Sequence, residues 1–213
     1  MIVAPMAALI ASYSALAVPF IAIFQKKLRP VAIPRLLGVY CLFSFLNDRS
    51  IHFFEQNNSW ITVSVISYIF SIIEYSLLTS LFFMLIKNSL NRYILKAGSV
   101  LFLGTAIIRL IHINNTSLNG LTTCTSALLV INYGILYFYE YLKTDMMEPI
   151  DNRPEFWIVT ACQFYFSANF FFFINPDKHL IHTWMIVSII NLLKNVLFIT
   201  ALLKTTIQLP ETE

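Results

Sequence analysis

Long runs of residues with almost no charge dominate the chain. A helix needs about 20 apolar residues to cross the roughly 30 Å hydrocarbon core of a bilayer. Seven stretches of this kind can be drawn, at residues 2–24, 35–54, 60–86, 97–113, 121–142, 157–175 and 180–203. Across the 213 residues, 58% are hydrophobic and 12% are charged. A soluble domain carries about 25% charged residues. Half of that cannot cover a water-facing surface, which excludes a soluble enzyme, a nucleic-acid binder and a disordered chain. The expected fold is an all-α membrane protein: a single seven-transmembrane-helix bundle over residues 1–213, with the lipid bilayer as its principal partner.

The second stretch ends in the polar run Asn47-Asp48-Arg49-Ser50, and the fourth is short and carries Arg109. Most prolines (Pro30, Pro34, Pro149, Pro154, Pro176, Pro210) lie outside the spans, where a helix breaker belongs. Pro5 and Pro19 lie inside the first, and Pro19 is expected to kink it. No basic segment precedes Ile2, so the first stretch reads as a span and not as a cleaved leader.

Basic residues set the orientation. With the N-terminus outside, the cytoplasmic side receives Lys26, Lys27, Arg29, Arg35, Lys87, Arg92, Lys96, Lys143, Arg153 and Lys204, and the outer side only Lys178. The C-terminus is then cytoplasmic. Trp60, Trp157 and Trp184 sit near span ends, as interfacial anchors do. Cys41, Cys124 and Cys162 fall in separate apolar stretches without ligand spacing and read as buried small side chains.

Ionisable groups inside spans are costly, about 2.5–3.5 kcal/mol each on insertion scales, and so mark candidate sites. Glu74 follows Trp60 by fourteen residues, and Lys194 follows Leu180 by fourteen. Both spans run inward, so at 1.5 Å per residue the two share a depth of roughly 21 Å. Ser64, Ser67, Ser71 and Glu74 form one helical stripe, and Ser188, Asn191, Lys194 and Asn195 form another. The expected site is a Glu74–Lys194 ion pair or a ligand site with Ser71, Asn191 and Asn195 beside it. A structural pair that fixes helix register is the competing reading. A lysine in span seven opposite a carboxylate in span three also resembles, in position, the retinal site of rhodopsins. The aromatic and proline pattern around that chromophore is missing from span six, FWIVTACQFYFSANFFFFI.

A second grouping lies at the outer rim: Asp48, His52, Glu55, Arg109, His112, His179 and His182. Asp48, His52 and Glu55 are spaced for one helix face. His52, His182 and Asp48 are candidate zinc ligands. The grouping resembles the seven-helix zinc hydrolases of the alkaline-ceramidase and adiponectin-receptor type. In those enzymes the helix-seven histidines stand four apart, whereas His179 and His182 stand three apart, and no acidic residue opens span three here.

Three stretches are similar to a family of bacterial seven-helix inner-membrane proteins without an established activity. ISYIFSIIEYSLLTSLFF (66–83) resembles its glutamate-bearing third span. EFWIVTACQFYFSANFFFFI (155–174) resembles its sixth span, and HTWMIVSIINLLKNVLFITALL (182–203) its seventh. The resemblance implies a bacterial inner-membrane location and companionship with sensor kinases and response regulators. It singles out Glu74, His182, Asn191, Lys194 and Asn195. The expected function is a receptor-like or regulatory membrane subunit that signals through a separate partner. Its alternatives are a zinc-dependent intramembrane lipid hydrolase and a small transporter with Glu74 as proton carrier.

Overall fold

The computed structural model describes residues 3–25, 28, 31–56, 60–112, 120–143, 149–174 and 181–208. Among these, the chain forms α1 (Val3–Ser14), α2 (Ala17–Phe24), α3 (Ala32–Gln56), α4 (Trp60–Leu85), α5 (Ser89–Ile111), α6 (Leu121–Lys143), α7 (Pro154–Ile174) and α8 (Ile181–Gln208). A 3-10 turn, Ile150–Asn152, leads into α7.

Four helical segments are long and apolar enough to cross a membrane: Thr62–Leu85, Ser89–Ile111, Leu121–Lys143 and Met185–Ile207. Ala8–Phe24 is a shorter apolar run. The second and sixth expected spans are helical as α3 and α7, but they carry polar side chains such as Ser44, which is buried, and Asp48 and Gln163, which bond to α1 and α6.

The first expected span is not one helix. It breaks at Ala15 and Leu16, whose N–H groups bond back three residues to Ser12 O and Tyr13 O. Pro19 explains the position of the break: it has no N–H to give Ala15, and its ring crowds the carbonyl four residues earlier. On the far side of the break Pro19 packs against Gly38 of α3, where an added Cβ would lie 3.3 Å from the Pro19 Cα.

The fourth span is longer than hydropathy implied. Asn88 caps it by accepting the Leu90 N–H, and Glu140 of α6 accepts the N–H groups of Lys87 and Asn88 as well as the Asn91 amide. The charged residues Arg92 and Lys96 therefore lie inside α5, with long stems that let the charge reach a polar zone. Pro34 and Pro154, expected outside the spans, occupy the first turns of α3 and α7, where a missing N–H is tolerated.

Neighbouring helices pack as a closed ring: α1 and α2 against α3, then α4, α6, α7 and α8, with α8 returning to α1 and α2. At the end of α2, Gln25 is hydrogen-bonded by Thr206 of α8. Helix α5 lies outside the ring, against α4 and α6. It is fastened there by a hydroxyl knot: Tyr75 and Tyr133 share a 2.8 Å hydrogen bond, and Tyr133 also donates to the Leu95 carbonyl at 3.3 Å. Tyr75 stacks on Phe102 with ring centroids 3.9 Å apart. Gly98 makes this possible, because a Cβ there would fall 2.2 Å from the Tyr133 hydroxyl oxygen.

Gly98→Ala should therefore destabilise the protein by about 1–3 kcal/mol, the usual effect of overpacking. Gly104, one and a half turns further along α5, has nothing within 4 Å of the added carbon. Gly104→Ala should be neutral or stabilising by up to about 1 kcal/mol, since alanine is the better helix former. Thermal unfolding in detergent distinguishes the two, and equal midpoints would contradict this account of α5 docking.

Candidate functional site

The inner face of α3 displays Tyr40, Ser44 and Asp48 at i, i+4 and i+8, one above the other. Facing them across the ring are Glu74 of α4, Tyr165 of α7, and Lys194 and Asn195 of α8. Lys194 is 2% exposed and Glu74 3%.

Lys194 and Glu74 meet through an intermediary. The Lys194 ammonium donates to the Tyr40 hydroxyl at 3.3 Å, and that hydroxyl donates to Glu74 Oε1 at 3.0 Å. Lys194 Nζ also lies 4.0 Å from the centroid of the Tyr165 ring and 5.1 Å from that of Tyr40. Contacts of a cation with ring faces contribute about 0.5–2 kcal/mol each, more when water is excluded. Phe198, one turn beyond Lys194, meets Tyr40 edge-on at 5.9 Å. Residues from α3, α4, α7 and α8 thus converge on one buried ammonium.

The neighbouring Asn195 reaches the other way, to the broken first helix. Its amide nitrogen donates to Ser14 Oγ at 2.8 Å and to the Ala11 carbonyl at 3.3 Å. Ser12 of α1 donates to Asp48 Oδ2 at 3.1 Å, and the Arg49 guanidinium lies 5.8 Å from the Tyr13 ring centroid. The last turn of α1 is therefore bound by side chains to both α3 and α8.

The other expected residues fall elsewhere. Ser71 shares a 3.1 Å hydrogen bond with Thr123 of α6 and bonds the Ser67 carbonyl, so it faces α6, while Ser64 of the same stripe meets Arg109 of α5. Asn191 is half-buried one turn before Lys194 and Asn195.

The described members of the rim grouping do not converge. Asp48 turns inward to Ser12, while His52 is exposed and hydrogen-bonded to Gln56 at 3.1 Å. Glu55 is half-buried at the end of α3, and His112 is exposed at the end of α5. Arg109 is buried between α5 and α4, donating to Ser64 Oγ at 2.9 Å and to the His112 carbonyl at 3.0 Å. His179 and the side chain of His182 lie outside the described residues, as do Asn57-Asn58-Ser59 and Asn114-Asn115-Thr116, which match glycosylation acceptors. Among the described residues, no group of three or more His, Cys, Asp or Glu side chains comes together as metal ligands. Of the zinc candidates His52, His182 and Asp48, the two that are described do not come together, since Asp48 is bonded by Ser12 and His52 by Gln56. Lys194 is engaged by Tyr40 and two ring faces and is not presented as a free amine, so the arrangement does not favour a retinal Schiff base.

Tyr40 and Tyr165 were not singled out by sequence reasoning. The signal was present: Tyr40, Ser44 and Asp48, and separately Tyr165 and Asn169, recur at helical spacing within spans two and six. Their aromatic rings read as ordinary apolar content. No protein-family model matches the chain, nor does any curated protein or solved structure.

Lys194→Met should destabilise the protein by roughly 3–5 kcal/mol, because it removes the cation that the buried carboxylate faces. The double variant Glu74→Gln with Lys194→Met should recover much of that loss. A Tyr40→Phe background should shrink the coupling, since the hydroxyl carries it. Unfolding in mixed micelles reads all three, and strict additivity of the single changes would show that no relay exists.

Proposed function

We propose that this chain is a receptor-like or regulatory integral membrane subunit that responds to a small ligand or envelope state and signals through a separate partner. In this reading it has seven spans, with the N-terminus outside and the C-terminus in the cytoplasm of a bacterial inner membrane. The basic residues collected on one side support that orientation.

One observation carries the functional reading: the Lys194–Tyr40–Glu74 chain joins α8, α3 and α4 through hydrogen bonds of 3.3 and 3.0 Å in a buried setting. A relay with one shared hydroxyl has two states, connected and broken, and each favours a different packing of those helices. A proton, a ligand or a shift of α1 that alters the charge balance would select between them. The loops following α2, α4 and α6, together with the adjoining helix ends that carry Arg35, Arg92, Lys96 and Lys143, present the basic residues and would face the signalling partner.

A second reading is favoured by a different observation. The discontinuous α1–α2 helix lies beside the buried charges, and broken helices near mid-membrane are where transporters build ion and substrate sites. In that reading Glu74 is a proton carrier.

Replacing the gene in the source organism with Glu74→Gln or Lys194→Met, at unchanged membrane abundance, should alter the transcriptional response to envelope stress. Responses identical to wild type under every stress applied would defeat the regulatory reading. Solute uptake by proteoliposomes that follows a proton gradient and disappears in Glu74→Gln would establish the transporter instead.

A further inference from the structure

Helix α6 shows one narrow stripe to its surroundings. The exposed residues along it before Lys143 are Leu128, Asn132, Ile135, Tyr139 and Leu142. Their spacing alternates four and three, which is the seam of a coiled coil, and Asn132 falls at an a position between Leu128 and Ile135 at d. Exposed apolar side chains need no explanation on a helix long and apolar enough to cross a membrane, but an exposed amide does. Asn132 stands eleven residues from each end of α6, about 16 Å from either rim. Its Nδ2 donates to the Leu128 carbonyl at 2.7 Å, an oxygen already within the helix ladder. Among the described residues, nothing meets the second amide proton or Oδ1. The exposed serines of α4 differ: Ser76 and Ser80 each have one proton and place it on the carbonyl four residues back. Hydrocarbon offers no hydrogen bonds, so the open half of the Asn132 amide calls for a partner.

Beside the stripe lies a concavity. Helix α5 stands outside the ring, and between it and α6 runs a groove of about 470 Å³. Ala97, Gly98 and Leu101 line one side, and Leu129, Asn132 and Leu136 the other. Small residues on such a wall let another helix approach closely. Copies of one chain insert in one orientation, so a two-fold axis along the membrane normal brings each residue to the same depth as its counterpart. A side-chain amide carries both donor and acceptor and is its own complement. An acyl chain offers neither, and a lipid headgroup lies half a bilayer away. An unrelated helix meets the requirement only if it holds a polar group at that same depth.

We propose that the α6 stripe is the seat of a second copy of this chain, in a parallel two-fold dimer whose two Asn132 amides exchange hydrogen bonds at mid-membrane. Each Nδ2 donates its free proton to Oδ1 of the other copy, so both groups left open in the single chain are closed. Leu128 and Ile135 pack on either side of the amide pair, and the groove beside α5 takes side chains that flank the second copy's seam. A single asparagine at an a position fixes register and strand number in coiled coils, and the amide pair does the same for the two α6 helices. The interface lies on α6, apart from the Lys194–Tyr40–Glu74 chain. It is tested by association and the signalling reading by transcription, so either can fail alone.

The test is Förster transfer between donor- and acceptor-labelled full chains in phosphatidylcholine vesicles, followed as lipid is added. Wild type should show transfer above that of randomly dispersed chains, with a dependence on acceptor fraction that fits two chains per assembly. Asn132→Leu should weaken association at least about fivefold, the loss of two interhelical hydrogen bonds. Asn132→Gln keeps an amide and should associate more tightly than Asn132→Leu. Ala97→Phe fills the groove without touching the amide and should also weaken association, which covers the case in which Asn132→Leu fails to fold. Val100 is 70% exposed on α5 but outside the groove, so Val100→Phe should match wild type. Transfer at the random level for wild type would overturn the proposal and leave the amide to a different partner. Well-folded Asn132→Leu or Ala97→Phe that associates as tightly as wild type would overturn it too.

Discussion

An ammonium group cannot be left bare in an apolar interior, and the arrangement of this ring follows from how Lys194 is accommodated. Desolvating a single charge is unfavourable by several kcal/mol even after relaxation. The compensation comes from three other helices: a hydroxyl from α3, a carboxylate behind it from α4, and a ring face from α7. Each is a short-range contact, so each fixes a helix at a particular rotation and depth. Moving any of these helices by a turn would separate the charge from its partners. Apolar packing gives the bundle its cohesion, but it discriminates poorly between neighbouring registers. The buried polar relay supplies that discrimination.

A second polar knot lies between α4, α5 and α6, and it differs in kind. Tyr75, Tyr133 and Ser99 are neutral, so breaking that knot strands hydroxyls and not charges. Helix α5 is accordingly fastened to the outside of the ring by weaker bonds and by close approach at Gly98. Glu74 and Tyr75, adjacent on α4, face the two knots in turn. The charged centre and the knot that holds α5 are therefore joined by one helix, with no loop between them.

Among the described residues each hydropathic stretch is helical, but hydropathy did not locate every helix end. It missed the start of α5, because Arg92 and Lys96 look like loop residues until Glu140 is seen accepting the N–H groups that open the helix. It also could not locate the break at Ala15 and Leu16, since the residues there are as apolar as those on either side. Only the proline four residues beyond hinted at it. Placing Glu74 and Lys194 at one depth required counting alone. Finding Tyr40 between them required knowing which face of α3 turns inward, and tyrosine is ambiguous on that point because its ring is apolar and its tip is not. Asp48 and His52 show the reverse case. Spacing put Asp48 and His52 on one face, yet the boundary between the ring interior and its surroundings runs between them.

The break in the first helix has a consequence for the order in which the protein is made. Val3–Ser14 and Ala17–Phe24 span only about 18 Å and 12 Å as helices, and each is shorter than the bilayer core. The Ala11 carbonyl freed at the break accepts locally from the Ser14 hydroxyl and, from 184 residues further along the chain, from the Asn195 amide. While the ribosome is still extending the chain, the first half-helix therefore has only its local hydroxyl bond at that carbonyl. The bond that fixes it to the ring forms only after the eighth helix has been made and come round to meet it. Synthesis begins at one end of the ring, but assembly is sealed from the other.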